Sequence, residues 1–206
     1  MNQRPAMDVR PVVLDGARVC MEPLDLARHW EGLFAIGRDP ELWRWTIADA
    51  SAEPALRDYL ATALREQAEG RSLPFATIDK ASGRVAGCTR FGNIERAHRK
   101  VEIGWTWVGT PFQRSHVNTE AKHLMLSHAF EHWGCLRVEF KTDVRNESSR
   151  NAMLRIGCRE EGTLRKHMIR DNGGRRDSVY FSILDDEWPT VKAALEAMLQ
   201  REAPRG

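Results

Sequence analysis

The sequence predicts a single α+β domain built around a mixed sheet, and three observations carry that reading. Helical and strand-like hydrophobic periods alternate along one continuous chain. No internal repeat or low-complexity tract divides it. Its 206 residues, 42% hydrophobic and 29% charged, suit one soluble domain with a substantial core.

The elements follow in order. Residues 1–10 read as a loose terminus, and the domain is expected over 11–202. Val12 to Glu22 reads as one strand, or as two short pieces about a turn at Asp15-Gly16. Leu24 to Ile36 is a helical pattern with Leu26, Trp30, Leu33 and Phe34 on one side, started by Pro23 and Asp25. Trp43 to Thr46 is irregular. Pro54 to Gly70 forms a second helix carrying Leu56, Leu60 and Leu64, with Gly70 as its stop. Strands are expected at Phe75 to Asp79, at Arg84 to Gly92 after a turn at Ser82-Gly83, and at Val101 to Val108. A long helix, Val117 to Trp133, closes at Gly134. Leu136 to Asp143 alternates as a half-covered strand. Ser148 to Ile156 is a helix ended by Gly157. Glu160 to Ile169 and Arg176 to Leu184 read as a hairpin around Asp171 to Gly174, and Trp188 to Glu202 is a last helix.

Composition narrows the function. A net charge of +2 is too small to draw nucleic acid by field alone. Basic residues cluster at Arg96 to Lys100, at Arg165 to Arg170 and at Arg175-Arg176. They read as solvated loops and strand edges, with contact to phosphates or to an acidic substrate as the alternative. Cys20, Cys88, Cys135 and Cys158 are scattered, which fits reduced thiols better than a disulfide framework. The N-terminus has no apolar core of a signal peptide, and no run approaches the ~18 apolar residues that span a bilayer. A cytoplasmic protein without a membrane or nucleic-acid partner is expected. His128 and His132 stand four apart on a helix, a zinc-compatible spacing, but no third ligand accompanies them and no metal is expected.

Residues 101–157 are the most telling. A strand ends at Val108, a turn follows at Thr110-Pro111, and Gln113-Arg114-Ser115-His116-Val117-Asn118 opens the long helix. A helix start presents unpaired N–H groups and partial positive charge, a ready site for an anion such as a pyrophosphate. A second strand and a second helix start, Asn146-Glu147-Ser148-Ser149, come next.

This stretch resembles the GNAT N-acetyltransferases, and within them the RimJ/RimL-type group that acetylates N-termini of ribosomal proteins. The family signature, Gln/Arg-x-x-Gly-x-Gly/Ala, begins at Gln113, with His116 and Asn118 where the two glycines usually stand. The strand Val138 to Asp143, Asn146, Gly157 and the ending Asp177 to Leu184 with Glu187-Trp188 follow in the family's order. The resemblance spans roughly residues 11 to 190. It implies a central mixed, mostly antiparallel sheet flanked by helices, and transfer of an acetyl group from acetyl-coenzyme A to a primary amine. That amine is a protein N-terminus, or a small molecule such as a drug or polyamine. A non-catalytic acyl-coenzyme-A-binding protein is the alternative outside the class, and a homodimer is left open.

Site residues follow from the resemblance. Gln113, Arg114, Ser115, His116, Val117, Asn118 and Thr119 would cradle the pyrophosphate, and Trp107, Val108, Asn146 and Arg150 would complete the contacts to coenzyme A. The plain alternative for Gln113 to Thr119 is a strand-to-helix connection capped by Asn118 or Thr119, and for Asn146 a helix N-cap. Many family members carry a Tyr that protonates the departing thiolate; its position is Met153 here, which leaves Ser149 as the donor. Glu102 is the candidate general base, against a salt bridge to Arg99 or Lys100. Trp105 is placed on the side of Glu102 as a wall of the acceptor site, and Gly104 marks a bulge. Trp43 and Trp45 read as core anchors or as acceptor-pocket contacts.

Overall fold

The computed structural model describes residues 6–201. Eight strands form one sheet: β1 (Leu14–Asp15), β2 (Val19–Pro23), β3 (Leu73–Asp79), β4 (Arg84–Glu95), β5 (Lys100–Val108), β6 (Arg137–Asp143), β7 (Arg159–Ile169) and β8 (Arg175–Leu184). The order is β1-β2-β3-β4-β5-β6-β8-β7. Every pairing is antiparallel except β5 with β6, which is parallel. That parallel contact joins only Lys100–Arg137, Val101–Val138 and Glu102–Glu139, so from Ile103 onward the β6-side edge of β5 is unpaired.

Five helices cover the sheet: α1 (Leu26–Gly37), α2 (Glu53–Ala68), α3 (His116–Ser127), α4 (Glu147–Arg155) and α5 (Trp188–Arg201). Their starts obey the chemistry of helix ends. Asp25, Ser115 and Asn146 accept backbone N–H bonds as N-caps of α1, α3 and α4. Burial divides the core in two. Val101, Ile103, Met125, Val138, Phe140 and Phe181 belong to a large cluster under α3, α4 and α5. Trp30, Leu33, Trp43, Leu56, Leu60 and Trp107 belong to a second, under α1 and α2.

The expected elements are present, with four differences. β3 and β4 are longer than the alternating runs suggest, β4 continuing through the irregular positive-φ residue Asn93. The long helix loosens into a π-turn at His128–His132 before Gly134 ends it, a change of winding that leaves hydrophobic spacing almost unaltered. Residues 1–5 of the expected loose terminus lie outside the described residues; beyond them, Met7 is buried in the core and the carbonyl of Asp8 accepts a bond from Trp133 Nε1 at 2.9 Å. The basic clusters are only partly solvated. Arg176 is buried, Arg170 bonds the carbonyl of Arg44 and the carboxylate of Asp143, and Arg99 caps the carbonyls of Trp133 and Gly134. Guanidinium groups satisfy several carbonyls at once, which suits them to tie loops down.

Candidate active site at the parting of β5 and β6

The site is organised by a bulge in β5. Cys88 pairs with Trp107, but Arg90 pairs with Gly104, so Trp105 and Thr106 together oppose Thr89. The bulge expected at Gly104 is there, and Trp105 is the residue that takes the left-handed conformation, φ +51°. Simple alternation would set Glu102 and Trp105 on opposite faces. The extra residue brings the Trp105 ring back to the face of Glu102, where it lies across Gly92 and under the guanidinium of Arg90 at 4.1 Å. Gly104 serves another need: a Cβ there would stand 3.0 Å from Glu102 Oε1.

Glu102 is 3% exposed. Its Oε2 accepts from Asn93 Nδ2 at 2.8 Å and from Lys141 Nζ at 3.3 Å. It does form an ion pair, and the partner is Lys141 of β6 rather than Arg99 or Lys100; Lys100 is taken by Glu95 and Glu139. Around this pair the concave face carries Tyr180, whose ring lies 5.6 Å from Lys141 Nζ and 5.7 Å from His167. Burial, then Lys141 and Arg176, pull the His167 imidazole below its ordinary pKa. Further along, burial would raise the carboxyl of Asp143, but hydrogen bonds from Arg145 and Arg170 outweigh it and hold the group well below the usual range. The hairpin tip reaches across here: Asp171 N donates to Ile47 O at 3.2 Å. A cavity of ≈ 200 Å³ opens between Trp43, Arg44, Thr46, Asp49, Arg170 and Asn172. Trp43 is a core anchor, its Nε1 donating to Gly37 O at 2.6 Å. Trp45 is half-buried, with the guanidiniums of Arg44, Arg145 and Arg170 within 5.1, 4.9 and 5.8 Å of its ring centre.

At the other end of the open β5 edge, the chain turns into α3. The side chain of Trp107 is buried against Trp43 in the second core cluster, and Val108 packs on the first, so both face the core. Gln113 is exposed and folds back, Nε2 donating to Val108 O at 2.9 Å. Arg114 is exposed and left-handed, φ +57°. Ser115 is the N-cap: its Oγ donates to Phe112 O at 2.6 Å and accepts from Val117 N at 3.3 Å. The cap is therefore Ser115 and neither Asn118 nor Thr119. His116 and Asn118 lie inside the first turn of α3, with no positive φ to demand glycine. His116 Nε2 is held by Asp79 Oδ1 at 3.2 Å. Val117 and Thr119 are buried, Thr119 accepting from Arg155 Nη2 at 2.9 Å. The helix start thus offers free N–H groups beside an exposed guanidinium, an arrangement that fits a pyrophosphate.

The start of α4 is built alike. Asn146 Oδ1 accepts from Ser149 N at 3.1 Å. The hydroxyl of Ser149 is half-buried, with no bond to it among the described residues. Met153 is buried. Arg150 is committed to structure, bonding Val144 O at 3.3 Å and Glu160 at 3.2 Å. His128 and His132 stack 5.3 Å apart, and no cluster of three or more metal-ligating side chains occurs among the described residues.

Three polar residues of the site escaped the pattern reading. Lys122 of α3, Thr89 of β4 and Thr106 of β5 form a network under the open edge. A signal did exist. Thr119, Lys122, Leu126 and Ala129 fall at helical spacing beside the apolar stripe Val117, Ala121, Met125, and all seven are buried.

Comparison with known proteins identifies the family and the fold. The chain matches the family model of the acetyltransferase (GNAT) domain over residues 18–159. It is 36% identical over 110 residues to YdaF of Bacillus subtilis, provisionally named a ribosomal N-acetyltransferase; the match covers 53% of this chain and 59% of YdaF. Among solved structures it is similar to a GCN5-related N-acetyltransferase of Brucella melitensis, with a TM-score of 0.88 and 33% identity over 98% of this chain and 90% of that one. It is also similar to RimJ of Mycobacterium smegmatis, determined in complex with CoA-disulfide, with a TM-score of 0.75 and 25% identity over 92% and 96% of the two chains.

Proposed function

The chain belongs to the GNAT acetyltransferase family, and on that premise we propose that it moves an acetyl group from acetyl-coenzyme A to the N-terminal amine of a protein. The observation that carries this reading is the open edge of β5, which begins beside Glu102 and leads to the start of α3, where the Ser115 cap takes up the N–H of Val117 alone among the first-turn groups. A thioester-bearing arm needs such a backbone edge, and a pyrophosphate needs such a helix start. The provisional name of YdaF, a ribosomal N-acetyltransferase, favours a protein acceptor, and the CoA-disulfide bound to RimJ favours coenzyme A as the carrier. A cytoplasmic setting goes with it, and no described helix is long and apolar enough to cross a membrane.

Bound acetyl-coenzyme A supplies an activated thioester. The chain's own groups do the rest. Arg114 and the first N–H groups of α3 hold the pyrophosphate. Asn146 orients the donor arm while capping α4. Glu102 takes the proton from the incoming ammonium, because only the free amine attacks. The Ser149 hydroxyl gives a proton to the departing thiolate and takes back the one that the new amide nitrogen sheds, since Met153 has none to give. Trp105 and the Trp45 rim bound the acceptor side.

The test is incubation with acetyl-coenzyme A and a library of peptides, read by mass spectrometry and by thiol release. Acetylated peptide N-termini are expected. Modification of polyamines or drugs alone would move the assignment to small amines, and binding without turnover would leave an acyl-coenzyme-A-binding protein. Ser149→Ala should lower kcat about tenfold or more while leaving coenzyme A affinity unchanged. An unchanged kcat would return Ser149 to the helix.

A further inference from the structure

Lys122 is 6% exposed and makes no ion pair among the described residues. Its Nζ donates to Thr106 Oγ1 at 2.7 Å and to Thr89 Oγ1 at 3.4 Å. The two hydroxyls bond each other at 2.7 Å, and both reach the carbonyl of Gly104 in the bulge, at 3.3 and 3.4 Å. Thr106 itself is exposed and lies past the last β5–β6 pair, on the open edge. A buried amine without a counter-charge is costly, and natural sites rarely keep one without a use.

Resting on the reading above, we infer that Thr106 is a binding residue for a carbonyl oxygen of the acyl donor's arm, and that Lys122 is the positioning residue that makes Thr106 a hydrogen-bond donor. A hydroxyl has one proton and two lone pairs. An ammonium has protons only. While Lys122 is charged, its N–H and the Thr89 hydroxyl fill the two lone pairs of Thr106, and the Thr106 proton has only the long 3.4 Å contact to Gly104 O to set against an acceptor in the cleft. Once Lys122 is neutral, its nitrogen accepts that proton, and Thr106 offers the cleft only lone pairs, which repel a carbonyl oxygen.

The switch falls in the working range. Burial pulls Lys122 down to about 7, with the Cys158 thiol acting weakly in the other direction. Other charged groups of the neighbouring elements are engaged elsewhere. Arg155 of α4 bonds Thr119, Arg18 beside β2 pairs with Glu120, and Glu196 of α5 faces His123.

The experiment is calorimetric titration of the full chain with coenzyme A from pH 6 to pH 8.5. The ligand's 3′-phosphate titrates in the same interval, so the comparison is between variants. In the wild type, affinity should fall about three- to tenfold more across this interval than in Lys122→Met or Thr106→Val, the worth of one hydrogen bond. Thr106→Ser, which keeps the hydroxyl, should restore the wild-type profile. Parallel profiles in all four proteins would overturn the inference while leaving coenzyme A binding intact. No binding by the wild type at any pH would overturn the functional reading beneath it as well.

Discussion

The two faces of β5 at its bulge hold opposite charges under opposite terms. On one face Glu102 is buried with an ammonium and an amide against it, from Lys141 and Asn93. On the other, Lys122 is buried with nothing but hydroxyls. A paired buried charge is locked into the fold, and loss of its partner strands it. An unpaired one is free to change its protonation, and it costs stability whenever it is charged. The same strand therefore carries a paired carboxylate on one face and an unpaired amine on the other.

The largest expected effect bears on the paired carboxylate. Glu102→Gln should lower kcat/KM by roughly a hundredfold or more, as loss of a general base does, together with a fall in melting temperature because Lys141 loses its partner. A variant with wild-type rates and a lowered melting temperature would make Glu102 a structural partner of Lys141 and nothing else. Next comes the pair of lysines, compared by urea denaturation. Lys141→Met strands Glu102 and should cost about 3 kcal/mol. Lys122→Met removes an uncompensated amine and should be neutral, or stabilising by roughly 1–2 kcal/mol, at pH 7. Equal losses would erase the contrast between the faces.

The same lysine sharpens the comparison through pH. Its folded pKa, about 7, lies below the ordinary 10.5, so between those values the unfolded chain binds more protons. Stability due to this group therefore rises as pH rises from about 7 towards 10.5, by up to about 1.4 kcal/mol per pH unit. Below pH 7 both states are protonated and the slope vanishes. Lys122→Met should show no such rise in denaturant midpoints; a wild-type slope in that variant would assign the titration to another group. The smallest effect is expected from Gly104→Ala, whose new Cβ would meet Glu102 Oε1 at 3.0 Å. A loss of about 1 kcal/mol with a modest fall in kcat should follow, and a fully neutral change would show that the carboxylate is not tightly seated.

How much of this was legible depended on the range of the interaction. The strands around Val101 and Val138 and the helix start at Asn146 announce themselves through local periodicity and capping chemistry, whereas the cap of α3 is Ser115 and not Asn118 or Thr119. The place of the turn between β5 and α3 was readable for the same reason. Its conformation was not: the left-handed residue is Arg114, while His116 and Asn118, at the usual glycine positions, are helical. Glu102 was visible as a strand carboxylate, but its partner sits 39 residues away on β6. Lys122 looked like one polar residue among others on an amphipathic helix, because its burial is decided by β4 and β5, not by its neighbours in the chain.

The brevity of the β5–β6 contact has a consequence for how the molecule comes together. From β1 to β5, strand order in the sheet is strand order in the chain, and β6, β8 and β7 form a second compact group. Each group closes mostly over short loops, the fast kind of contact. Within the sheet, only three residue pairs join the two groups; ion pairs such as Glu102 with Lys141 and the hairpin tip at Ile47 add side ties. The seam is then the last part of the sheet to assemble and the first to open, and backbone amides of Ile103 to Val108 should exchange with solvent deuterium through smaller openings than those of β3 and the first half of β4. The proposed site thus lies where the two parts of the sheet are joined by the fewest strand pairs, and an arm laid there would disturb the pairing of neither group.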